Sequence, residues 1–141
     1  MITHDSRCPC LSGETYYKCC GRFHNGDAVP STAELLMRSR YSAFSIGDVR
    51  YLLNTWHPHT GPESLVLDTA ITWRRLDIVR TERGGLFDKE GVVEFIAHYR
   101  RGGISARQRE ISRFLKVDRR WYYLDAMPDG MAASWAQSSQ P

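Results

Sequence analysis

The sequence predicts an α+β protein: a small N-terminal cysteine-rich knuckle followed by helices packed on a curved, cone-like antiparallel sheet. Three observations predict it. All four cysteines fall between Cys8 and Cys20. Two stretches between Ala33 and Trp56 place apolar residues at helical spacing, and four stretches from Ile71 to Ala126 read as strands separated by short turns. The 141 residues suffice for one domain and an appendage. The expected division is a knuckle at 1–25, the α+β domain at 26–127, and a small, polar tail at 128–141 expected to be mobile.

The cysteine spacing is Cys8-x-Cys10-x8-Cys19-Cys20. The start, "MITHDSRCPC", has no apolar run after a basic beginning, and no stretch reaches the roughly 18 apolar residues of a membrane span. The expected compartment is therefore the cytoplasm, where clustered cysteines hold metal more often than they form disulfides. A bridge between the adjacent Cys19 and Cys20 would also be strained. The C-x-x-C of a redox dithiol is absent. Structural zinc, with four tetrahedral thiolate or imidazole ligands, fits better. Pro9 stiffens the first pair, and Ser12-Gly13 supplies the turn that returns the chain. So polar a segment needs ligation to fold. The expected ligands are Cys8, Cys10, Cys19 and Cys20 around one structural zinc ion, with His24 as an alternative for one position.

"GRFHNGDAVPS", residues 21–31, reads as a loop. Ser31 or Thr32 can cap a helix whose inward residues are Leu35, Leu36, Met37, Tyr41 and Phe44, and Gly47 ends it. Glu34 and Arg38 are spaced for an i, i+4 pair. Asp48 can cap a second, short helix directing Tyr51, Leu52 and Trp56 inward. "ITWRRLDIVRT" begins the strands. "VVEFIAHYR" places Val93, Phe95, Ala97 and Tyr99 on one face, "ISARQREISRFLKV" alternates less cleanly, and "WYYLDA" closes the meander.

The first segment resembles the SEC-C motif, the zinc-binding element named for the C-terminus of the SecA preprotein translocase ATPase. Cys8, Cys10, Ser12, Gly13, Cys19 and Cys20 match its pattern, while Leu11 and Glu14 stand where glycine and lysine are common. The chain as a whole resembles the YchJ-like family, which joins that motif to a nuclear-transport-factor-2-like domain. "AELLMRSRYSAF", "YLLNTWHP", "GVVEFIAHYR", "SRF" and "WYYLD" carry this resemblance. It implies zinc and a cone-shaped fold. In SecA the comparable motif is associated with docking to a protein partner and to acidic surfaces.

By that resemblance a protein partner is expected, with RNA or the ribosome as a weaker alternative. Tyr16, Tyr17, Lys18, Arg22 and Phe23 form an aromatic and basic strip beside the cysteines, suited to such a partner or to covering the metal. The leading reading is a non-enzymatic binding module. The alternative is a small-molecule binder or enzyme whose cone pocket is lined by Trp56, Trp73, Phe95, Tyr99, Glu110, Phe114 and Trp121. His57, His98, Glu94, Glu110 and Asp125 are the titratable groups such an enzyme would use, but their spacing matches no catalytic pattern. Arg40, with Tyr41 and Ser42, is placed to form a polar cluster meeting Glu94 or Glu110. Phosphate-binding glycine loops and G-x-S-x-G elbows are absent. A net charge of +3 is too small to argue for nucleic acid by itself.

Overall fold

A computed structural model describes residues 2–127, so the tail expected to be mobile lies outside the described residues. Three helices, α1 (Cys20–His24), α2 (Ala33–Ile46) and α3 (Val49–Asn54), precede four strands, β1 (Ile71–Arg83), β2 (Glu90–Arg101), β3 (Ile104–Val117) and β4 (Arg120–Ala126). The strands form one antiparallel sheet in the order β1-β2-β3-β4, with α2 across its concave side.

The helix ends are set by local chemistry. Thr32 Oγ1 accepts the Leu35 N–H at 3.1 Å, and Asp48 Oδ1 accepts the Tyr51 N–H at 3.0 Å. Gly47 terminates α2 in the left-handed region at φ 81°, where a Cβ would be strained. Glu34 and Arg38 form the expected ion pair at 3.0 Å. The segment read as a loop after Cys20 instead begins with the turn of helix α1. Phe23 anchors that turn in the main core, and Asn25 N–H closes it on Gly21 O at 2.9 Å.

The sheet curls because its ladders are interrupted. The β1–β2 register shifts between Trp73 and Arg75 and again between Ile78 and Arg80, and the β3–β4 register shifts at Arg113/Phe114. Each irregularity increases local twist. Val93, Phe95 and Ala97 of β2 are wholly buried beneath α2, together with Leu36 and Leu52. Each such large side chain contributes about 1.5–3 kcal/mol through burial. In β3 the inward row is Glu110, Ser112 and Phe114, so two polar residues face the core. After α3 the chain leaves the helix and docks on β4: His57 N–H donates to Tyr123 O and Tyr123 N–H to Thr55 O, both at 2.8 Å. β3 is much longer than its partner, since β4 pairs only with Ser112–Val117.

Candidate metal centre

The chain before Cys20 folds back on itself. Cys8 N–H donates to Glu14 O at 3.0 Å and Tyr16 N–H to Ser6 O at 2.7 Å, so Cys8 and Cys10 are returned toward Cys19 and Cys20. Gly21 allows the close approach this requires. A Cβ there would lie 2.7 Å from Tyr16 O, which already accepts the Cys19 and Gly21 N–H groups.

Four sulfurs result, all within 4.8 Å of one another and all buried. None is in a disulfide. Cys10 Sγ lies 3.6 Å from Cys19 Sγ, and Cys19 Sγ lies 4.0 Å from Cys20 Sγ. Tetrahedral thiolates at a Zn–S distance of about 2.3 Å sit roughly 3.8 Å apart, so the donor set fits the ion. The crowded thiols differ in acidity. Hydrogen bonds from Cys10 and Cys20 hold the Cys8 thiol far below its ordinary value. The bond with Cys20 lowers Cys10, but the bond with Cys8 and burial outweigh it and push the thiol up to about 11. Hydrogen bonding to Cys10 and Cys8, with burial, raises Cys20 strongly. A bound cation would offset the repulsion that opposes four thiolates together.

Around the sulfurs stands a shell of side chains from two elements. Ser12 Oγ lies 3.1 Å from Cys19 Sγ. From α2, Ser42 Oγ–H donates to Cys20 Sγ at 3.2 Å and lies 3.5 Å from Cys8 Sγ. Arg38 Nη1 donates to Cys10 O at 3.0 Å. His24 is not among the clustered donors. Its Nε2 meets Ser39 O at 2.8 Å, and its Nδ1 meets Tyr16 OH at 2.6 Å, so both ring nitrogens are engaged in tying the knuckle to α2. The contacts of Ser42, Arg38 and Ser39 with the knuckle were not foreseen from sequence, because each joins residues far apart in the chain.

The strip proposed for a partner divides in two. Tyr16 packs against the cysteine cluster and hydrogen-bonds His24, so it covers the site. Phe23 is core. Tyr17 is 48% exposed and stacks on His4 at 4.9 Å. Lys18 and Arg22 are exposed beside it, with Arg22 Nε donating to Cys19 O at 3.2 Å.

Among the described residues, the seven aromatic and acidic residues expected to line a cone pocket are divided among separate openings. Trp56, Phe95 and Glu110 border a void of about 10 Å³, filled around by Arg40, Met37 and Tyr123. Trp121 lines a separate cleft of about 70 Å³, and Trp73 one of about 250 Å³ at the C-terminal end of α2. Tyr99 packs on Trp73 at 5.4 Å between ring centres. Phe114 is buried, with its ring 5.8 Å from that of Tyr123.

The titratable residues are equally dispersed. Glu110 accepts hydrogen bonds from Ser112 Oγ at 2.5 Å and Tyr123 OH at 3.2 Å in the interior. Arg40, buried beside it, donates to Leu52 O and Thr55 Oγ1 at 2.8 Å and lies over the rings of Trp56 and Tyr123. Burial lowers its guanidinium to about 10. Glu94 is on the opposite, convex face, held between Arg80 and Arg109. His98 pairs with Asp77 at 2.8 Å on that face, Asp125 pairs with Arg113, and His57 Nδ1 accepts the His59 N–H at 3.1 Å.

Knuckle and sheet together define a SEC-C motif protein built on a nuclear-transport-factor-2-like domain. The family model described as YchJ, middle NTF2-like domain, matches residues 32–126. The chain belongs to the YchJ family. It is 52% identical over 118 residues to a UPF0225 protein of Streptomyces coelicolor, covering 84% of this chain and 92% of that one. It is 50% identical over 124 residues to a UPF0225 protein of Chromobacterium violaceum, covering 85% and 91%. Two solved structures share the fold. The solution structure of RPA3114, a SEC-C motif containing protein from Rhodopseudomonas palustris, has a TM-score of 0.72 and 31% identity, covering 85% of this chain and 96% of that one. The crystal structure of a SEC-C motif containing protein from Psychrobacter arcticus has a TM-score of 0.71 and 26% identity, covering 95% and 87%. No helix among the described residues is long and apolar enough to cross a membrane.

Proposed function

We propose that the chain is a cytoplasmic, non-enzymatic binding module in which Cys8, Cys10, Cys19 and Cys20 hold one structural zinc ion. The observation that carries this reading is the set of four buried sulfurs within 4.8 Å of one another. Four protein ligands complete a tetrahedron and leave no position for substrate, which is the pattern of structural rather than catalytic zinc. The metal fixes the knuckle, and the knuckle presents Tyr17, Lys18 and Arg22 to a protein partner. An exposed ring with two exposed cations near it in sequence suits an acidic protein surface.

The test has two stages. Metal analysis of protein purified under reducing conditions should return about one zinc per chain, and its absence would remove the reading. Capture from cell lysate should then compare the wild type, Cys10→Ser and the pair Lys18→Glu with Arg22→Glu. A protein retained by the wild type and lost with both variants supports the partner surface. Retention by either variant places the interface elsewhere.

A further inference from the structure

The hairpin joining β1 to β2 ends in an apolar knob. Phe87 is 96% exposed and Leu86 57% exposed, so Phe87 packs against almost nothing in its own chain. The knob is not a loose loop. Gly85 N–H donates to Asp88 Oδ2 at 2.9 Å, Asp88 N–H to Gly85 O at 3.1 Å, and Gly84 N–H to Glu90 O at 3.0 Å. From the neighbouring strand, Lys116 Nζ donates to Leu86 O at 2.8 Å and Lys116 N–H to Lys89 O at 2.8 Å. Five hydrogen bonds thus hold an aromatic ring out in water, an arrangement that lowers the ordering cost of binding something.

A receptacle lies at the same end of the sheet. A groove of about 240 Å³ opens where Val92, Leu115 and Leu124 come together, rimmed by Glu82, Glu90 and Arg113. An apolar cavity of about 150 Å³ accommodates benzene, so the groove has room for a phenylalanine side chain. The rim charges carry both signs. Lys89 and Glu90, adjacent and exposed, have no ion-pair partner among the described residues. Across a two-fold axis such a neighbouring pair is self-complementary: the lysine of one copy faces the glutamate of the other, twice.

We propose that this hairpin is an isologous interface, in which Phe87 of each copy enters the Val92/Leu115/Leu124 groove of a second copy of this chain. Aromatic knobs seated in apolar grooves dominate small interfaces. The pinned knob, a groove of matching size and the unpartnered charges of opposite sign all lie at one end of the sheet. That coincidence favours the chain itself as the occupant. The inference is independent of the metal site, because none of these residues belongs to the knuckle.

Sedimentation equilibrium on the full, metal-loaded chain, up to about 1 mM, tests it. The wild type should approach twice the monomer mass as concentration rises. Phe87→Asp should remain monomeric, with the thermal midpoint of the wild type at dilutions where both are monomeric, because the side chain is exposed in the monomer. Lys89→Glu should weaken association by about tenfold or more, and Lys89→Glu combined with Glu90→Lys should restore it. A wild type that stays monomeric throughout overturns the proposal. So does a Phe87→Asp variant that dimerises like the wild type.

Discussion

The hydroxyl of Ser42, in the middle of α2, donates to the sulfur of Cys20 at 3.2 Å, while Ser39 of the same helix offers its carbonyl to His24 at 2.8 Å. The metal-binding segment is therefore seated on the main helix of the cone domain. A metal bound there and the helix would support each other, and this sets the first two expectations.

Ser42→Ala should keep the fold, because alanine is the best helix former and the site is fully buried. It removes the hydrogen bond to Cys20 and the contact with Cys8. Outer partners of this kind change metal affinity by about 10–100-fold. Competition against a chromophoric chelator should show a loss in that range, and an unchanged affinity would mean that the hydroxyl does not orient the thiolates.

Cys19→Ser should abolish stoichiometric zinc while leaving the sheet in place, because Phe95, Phe114, Leu36 and Leu52 pack without the knuckle. Hydrogen exchange should accelerate in residues 2–24 and locally around Ser39 and Ser42. Protection retained throughout β2 and β3 is the expected control. Loss of protection there would show that knuckle and cone unfold as one unit.

Arg40→Ala removes a buried cation and leaves Leu52 O and Glu110 without it. Breaking a buried charge arrangement costs about 3–5 kcal/mol. Urea unfolding should show a loss of that size. A loss well below it would mean that water already enters the interior.

Glu94 predicts an acid-sensitive increment. Burial raises its carboxyl, but Arg109 and Arg80 more than offset this, and the net direction is downward. A carboxylate lowered in the folded state contributes stability above its unfolded value and loses that contribution as pH falls through the folded one. The thermal midpoint should therefore drop as pH falls below the ordinary glutamate range. In Glu94→Gln the midpoint should be lower at neutral pH and its decline with acid shallower. Parallel profiles for the two proteins would exclude this role.

What could be read from the chain followed the range of each interaction. The sulfur cluster was legible because its donors sit within thirteen residues. The helix ends at Thr32, Gly47 and Asp48 were legible because capping is local, and the meander because alternation and turns are local too. The face of β3 that carries Glu110 and Ser112 reads as polar in isolation. It is interior because Arg40 and Tyr123, from elements distant in sequence, complete its hydrogen bonding and charge. The turn of α1 was missed because Asn, Gly and Asp follow at once, and long-range contacts secure it: the burial of Phe23 and the bond of His24 to Ser39 O. The seat of the knuckle on Ser39 and Ser42 left a faint trace: serines recur every third residue at 39, 42 and 45 of α2, and side chains that short let another backbone approach.

β3 outruns β4, so among the described residues the far edge of Ile104–Glu110 carries no ladder beyond the single Met127–Ile111 bond. An open edge invites foreign strands. Here the exposed positions include Arg107 and Arg109, with Gly102 and Gly103 at the corner. A strand attempting to extend the sheet would have to bring its own backbone against long cations. Among the described residues half of the longest strand is thus left without a ladder, at an edge whose cations disfavour an added strand.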